Sequence, residues 1–408
     1  LPPPPTMKTP PPPPPPPPAP PPSLYFNALN LAVFVGYVMS TASVAVPVVL
    51  IPTIASDIAG PGGKDAFAAN VASLATCGTA AGKVLMGFAC DAFGARRTMM
   101  LCFLLMGGSL LLLSAATDLA TVGAAQALLE FFNSVMWPCM AIVLATHYGH
   151  DQARLDGGIF VLGMSSRFGA LLSMPTWGAL VSFLGWRAVA LVGSAVAGAG
   201  FLLVALFVSD TPTKRDEPQG AKLSLAGVSQ SLKNLAASRL FLLVACAQAG
   251  NAMVRTSERV LGTFFSETGD VSDATGGSLT TFLSGGLLFG VLVFGNAFVK
   301  ASNARKKSLV LVLYSLSFLS LAGLAVISLP AVYTRTGGAT IFVEVGLSFF
   351  MAAFVGIQYY QIPPTISSTF GADKGLCASY IDGVGYVFSS VAWAGLAKVV
   401  DLGEYVRE

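Results

Sequence analysis

Charge is what this 408-residue sequence lacks most: only 11% of its residues are Asp, Glu, Lys or Arg, against 54% hydrophobic. A soluble domain carries about 25% charged residues, so a chain this poor in them cannot solvate a surface of its own size. Mean hydropathy is +0.71. Histidine is nearly missing too: His147 and His150 fall in one short polar stretch and are too few for a metal cluster. The cysteines Cys77, Cys90, Cys102, Cys139, Cys246 and Cys377 stand singly in or beside apolar runs. Without a CxxC or a paired spacing they suggest neither a disulfide framework nor a zinc site. No nucleophile–base pair, phosphate loop or ligand cluster is present, so no metal or cofactor is expected and an enzyme is the least favoured class. The net charge of +3 is too small and too scattered for nucleic-acid binding. These shortages place the chain in a lipid bilayer.

What is abundant gives the organisation. Residues 2–22 hold 16 of the 26 prolines, an extended or disordered tail with a weak secondary reading as an SH3/WW-type ligand. It lacks the basic stretch, apolar core and cleavage site of a signal peptide. From residue 26 onward, apolar stretches recur at the roughly 20-residue length of a spanning helix. They predict eleven spans, near 28–50, 67–90, 98–117, 121–146, 157–182, 188–208, 238–265, 276–299, 308–328, 339–362 and 376–400. A polar loop at 209–237 separates a six-helix half (26–208) from the rest (238–408), and its Leu223, Leu225, Val228, Leu232 and Leu235 suggest a short interfacial helix. Alternate loops carry twelve basic residues, including Arg96, Arg97, Arg154, Lys306 and Lys307, while the others carry only Lys64, Arg187 and Arg335. The positive-inside bias puts the N-terminus in the cytosol; plasma and organelle membranes both fit. Gly87–Arg97 recurs in degraded form from Gly295, and Leu184–Gly185 recurs at Leu402–Gly403. Two pseudo-symmetric halves follow, and the expectation is an all-α bundle of twelve helices lacking its last.

Ionisable groups inside spans carry the functional signal, since each costs roughly 2.5–3.5 kcal/mol or more at mid-helix. They are Lys83, Glu130, Arg167, Arg255, Glu258, Arg259, Glu344 and Asp382. Depth along the helices places Lys83, Arg167 and Arg255 near one central layer, facing a wet cavity as candidate anion-binding residues. Internal pairing is the competing reading, because four bases meet four acids and Glu258 sits three residues after Arg255. Glu130 reads as a proton-coupling carboxylate, a partner of Arg167, or a packed protonated residue. Glu344, near a span end, reads as solvated, and Asp382 stays unassigned. Gly87, Asp91, Gly94, Arg96 and Arg97 together form a candidate conformational latch at adjacent helix ends: a turn glycine, a carboxylate at a helix end and two cations.

At Gly87, Asp91, Gly94, Arg96 and Arg97 the chain resembles the major facilitator superfamily, with Ala92 and Ala95 standing where a basic residue is common. Within it, Gly82-Lys83, Trp137-Pro138, Gly157-Gly158 and Arg255 are similar to patterns of the organophosphate:phosphate antiporters. That resemblance implies an exchanger of sugar phosphates or glycerol phosphate for phosphate, with Lys83 and Arg255 on the anion and Arg167 in the cavity. It also implies a basic residue in the first helix, and Gly36–Pro47 has none. The leading expectation is secondary transport of a small organic anion by alternating access. A proton-coupled symporter using Glu130 is the alternative, and a non-transporting sensor or scaffold is the third reading.

Overall fold

The structure, a computed structural model, describes residues 27–60, 63–86, 93–148, 151–208, 233–328, 340–360, 362, 366 and 374–407. Outside them lie the proline-rich tail, Gly87 and Asp91 of the expected latch, and most of the expected interfacial helix. Among the described residues there are helices and no strand. The N-terminal set comprises α1 (Ala28–Ile58), α2 (Lys64–Leu85), α3 (Ala95–Ser114), α4 (Leu119–Asn133), α5 (Met136–Tyr148), α6 (Gln152–Leu184) and α7 (Trp186–Phe207). The C-terminal set comprises α8 (Arg239–Thr256), α9 (Glu258–Thr268), α10 (Asp273–Leu279), α11 (Thr281–Lys300), α12 (Asn303–Ile327), α13 (Thr340–Tyr360) and α14 (Lys374–Arg407).

Local chemistry sets the boundaries. The side chains of Asn27, Asp118 and Asp151 each accept from the backbone N–H three residues on, capping α1, α4 and α6. Pro138, in the first turn of α5, has no N–H to offer the Ser134 carbonyl, and the chain breaks between α4 and α5 at Ser134–Val135. Gly94 enters α3 at φ 84°, a backbone geometry that disfavours a Cβ, which gives a physical reason for glycine at that latch position.

Nine helices or joined helix pairs among the described residues are long and apolar enough to cross a membrane. Two of the eleven expected spans are not among them. The first is α2, whose sequence mixes Lys64, Asp65 and Lys83 with Gly, Ala, Ser and Thr. The second is the α8–α9 segment, divided at Ser257 and bearing Arg255, Glu258 and Arg259 at the break. Both turn polar residues toward the bundle interior, which dilutes the apolar run that a lipid-facing helix needs.

Large apolar side chains cover the outside of the bundle, including Phe183 at 85% and Phe342 at 81% exposure. Such a surface suits hydrocarbon and not water. Inside, the largest apolar cluster joins α1 to α3, α6 and α7 through Val46, Leu50, Phe103, Leu110, Leu162 and Val189. The sets meet along α2 and α14, where Ser73 and Ser390 exchange hydrogen bonds, and again at the end of the bundle that holds Lys64. There Gly277 lies so close to α1 that a Cβ would fall 2.2 Å from the Val49 carbonyl oxygen. Lys64 Nζ lies 3.1 Å from Asp273 Oδ1, and Ser56 Oγ donates to the same carboxylate.

Candidate functional site

Seven of the eight intramembrane ionisable groups fall into one connected region between the sets. Lys83 Nζ donates to Asp382 Oδ2 at 3.0 Å, linking α2 to α14. The other Asp382 oxygen accepts from Gln248 Nε2 at 2.9 Å. Gln248 accepts from Asn251, which accepts from the Tyr314 hydroxyl at 3.1 Å, so the aspartate is fixed by a chain running through α8 to α12. Arg259 Nη2 donates to Glu130, linking α9 to α4, and Thr79 Oγ1 donates to the second Glu130 oxygen at 3.1 Å. Arg255 donates to Glu258, whose other oxygen accepts from Ser284 at 3.3 Å. Each of these carboxylates thus has a cation on one oxygen and a neutral donor on the other. For Glu130 and Glu258 burial favours that arrangement, because an ionised carboxylate removed from water needs partners, whereas Asp382 stays partly exposed.

Arg167 differs. It sits midway along α6, is 9% exposed, and has no carboxylate within ion-pair distance among the described residues. Its Nε is buried with no hydrogen-bond partner. Its guanidinium carbon lies 5.0 Å from the centre of the Tyr360 ring. Cation–π attraction holds the group in place without neutralising it. The Tyr360 hydroxyl is also buried and unpartnered. Tyr37 of α1 lies within electrostatic range of both Lys83 and Arg167. Tyr359 and Tyr386 share a hydrogen bond of 2.9 Å beside Arg255.

Lys83 and Arg167 share Tyr37 as a neighbour, and Arg167 and Arg255 share Glu258, but Lys83 and Arg255 arrive already paired. Glu130 pairs with Arg259 and not with Arg167. Glu344 is not solvated: it is fully buried on α13 and accepts from Thr268 Oγ1 at 2.7 Å. Its helix begins at Thr340, beside the end of α9, so proximity to a helix end does not bring water. Of the expected latch, Gly94 starts α3, Arg96 donates to the Ala205 carbonyl at 2.7 Å and Arg97 is exposed. Arg96 thereby ties α3 to α7 within the N-terminal set. The tyrosines were missed because an uncharged ring in a membrane helix, even the adjacent Tyr359 and Tyr360 beside Gln358, reads as ordinary core. No grouping of three or more His, Cys, Asp or Glu able to hold a metal occurs among the described residues.

A second charged cluster lies at the Lys64 end, past the apolar part of α9. Burial and the neighbouring Asp65 carboxylate push Glu267 up to about 7, opposed by Lys64.

A polar seam with one cation more than its carboxylates, lying between two sets of apolar helices, defines a multi-pass membrane protein. Residues 33–397 match the Major Facilitator Superfamily, and the chain belongs to that family. Solved structures give the same fold. A bacterial homologue of the human lysosomal transporter Spinster, inward-facing and unoccupied, superposes with a TM-score of 0.66 at 14% identity, covering 89% of this chain and 79% of that one. The D-xylose–proton symporter gives 0.64 at 14% identity, covering 91% and 89%. The nucleoside transporter NupG gives 0.66 at 11%, covering 93% and 96%. A comparison with curated protein sequences gives no match.

Proposed function

We propose that this protein is a secondary active transporter that moves a small organic anion by alternating access, as a phosphate ester/phosphate exchanger. The N- and C-terminal sets are the halves that rock about the seam, with the N-terminus in the cytosol and the Lys64 end on the opposite side. One observation carries the reading: Arg167, buried at mid-bundle, forms no ion pair with a described carboxylate, and Glu258, which its charge reaches, is already bound by Arg255. An isolated buried cation is costly, and an anionic cargo removes that cost. Lys83 and Arg255 flank the site, held by Asp382 across the seam and by Glu258 on the same half, and add to the positive field that attracts the anion. The family signature supports transport, and the likeness of Gly82-Lys83 and Arg255 to the organophosphate antiporters supports exchange.

The test is counterflow of labelled phosphate into phosphate-loaded proteoliposomes. Uptake inhibited by sugar phosphates or glycerol phosphate, and abolished in Arg255→Ala, is the expected result. An absence of phosphate flux from protein shown to be folded would reject phosphate exchange, and exchange retained in Arg255→Ala would reject that residue's role. A second reading, proton-coupled symport of an organic anion, is favoured by the buried Glu130–Arg259 pair, which protonation of Glu130 breaks at the boundary between the halves. Uptake driven by a pH gradient and lost in Glu130→Gln would select it.

A further inference from the structure

Resting on that transport reading, we infer that the cargo is recognised through an oxyanion bearing a single negative charge, held between the Arg167 guanidinium and the Tyr360 hydroxyl. The charge count of the seam is the first ground. Asp382, Glu258 and Glu130 each bind one cation and one neutral donor, Gln248, Ser284 and Thr79 respectively. Because the carboxylates are doubly held, Lys83, Arg255 and Arg259 are matched in this conformation. Arg167 leaves one positive charge over, and one only, in this seam of described residues.

The unmade hydrogen bonds are the second ground. Arg167 Nε and the Tyr360 hydroxyl are both buried and both lack a partner. They belong to α6 and α13, on opposite halves, and the stacking of the guanidinium on the Tyr360 ring keeps them together. Two donors on side chains that touch, one of them charged, match a group with two acceptor oxygens sharing one negative charge. A carboxylate fits, as does a phosphate ester that retains one acidic proton or carries a second ester link. A neutral molecule leaves Arg167 uncompensated. A dianion brings a second charge where the remaining cations are already engaged.

Binding is measured on purified protein in nanodiscs by tryptophan fluorescence, at pH 5.5 and 7.5, with three probes. Glycerate carries one charge at both values, as does the methyl diester of glycerol phosphate. Glycerol phosphate itself passes from mostly monoanion to mostly dianion, its second pKa being about 6. Its affinity is expected to fall by roughly 20-fold between the two pH values, following the monoanion fraction. Whichever of glycerate and the diester binds should hold steady, and the pattern identifies carboxylate or phosphate as the recognised oxyanion. Arg167→Gln should weaken every probe by about 100-fold, and Tyr360→Phe by about 10-fold with an unchanged melting temperature. Glycerol phosphate binding as well or better at pH 7.5, still dependent on Arg167, overturns the single-charge inference and leaves the transport site standing. Failure of all three probes on folded protein rejects the anion-transport reading itself.

Discussion

The Arg259–Glu130 pair makes the sharpest test of how the halves are held together. Its side chains are 5% and 4% exposed. Arg259 Nε and Nη1 are buried without partners, so the guanidinium depends on the single bond from Nη2 to Glu130. Glu130→Gln keeps the shape and can still accept from Thr79, but it leaves a buried positive charge unmatched. Removing one partner of a buried ion pair costs about 3–5 kcal/mol. Because the pair joins α9 to α4, that cost falls on the association of the halves. At 1.4 kcal/mol per tenfold, it lowers the ratio of joined to separated arrangements by roughly two to three and a half decades. Val49, fully buried opposite Gly277, reports the separation when replaced by cysteine in a background lacking the exposed Cys77 and Cys246. Faster thiol labelling of Val49→Cys and a lower melting temperature are expected in Glu130→Gln. The double variant Glu130→Gln/Arg259→Gln removes the orphaned charge and should recover much of both. Wild-type labelling and melting in the single variant, or a double variant worse than the single, would refute the reasoning.

Gly277→Val should stop transport while leaving each half folded, since its Cβ meets the Val49 carbonyl 2.2 Å away; retained flux with wild-type labelling of the contact would count against it. Glu267, raised to about 7 by burial and then by Asp65, binds its proton more tightly in the closed structure than when solvated. The contact at the Lys64 end is therefore firmest at acidic pH and weakens as pH rises from about 4.5 through 7. Melting between pH 5.5 and 8 should show this downward slope, flattened in Glu267→Gln, and an upward slope attributable to Glu267 would contradict it. Gly94→Ala places a Cβ at φ 84° and should cost about 1–2 kcal/mol, read as a lower melting temperature with slower transport.

The sequence revealed the spans where helices face lipid, because hydrocarbon demands unbroken apolar runs. It was less explicit at α2 and α8–α9, whose inward faces carry the charges that matter. Lys83, Arg167 and Arg255 were legible as candidates because an intramembrane cation is expensive wherever it lies. Their partners were not, since Lys83 meets Asp382 from 299 positions away and only helix adjacency makes them neighbours. Counting depth along one helix also misplaced Glu344, whose cover comes from Thr268 on a different element. Tyr360 carried no signal at all. Its significance lies in an unpartnered hydroxyl beside an unmatched guanidinium, a relation between α13 and α6 that no local pattern encodes.

The ion pairs that cross the seam have a consequence for how the two halves found each other. Lys83, Arg167 and Glu130 belong to one half, Asp382 and Arg259 to the other. Two copies of the first half brought face to face would assemble four cations with two carboxylates and leave two positive charges stranded in a dry interface. The heterologous pairing strands one, Arg167. The first half is thereby kept from mating with its own kind, and the fidelity of that mating is written in charge, not in shape.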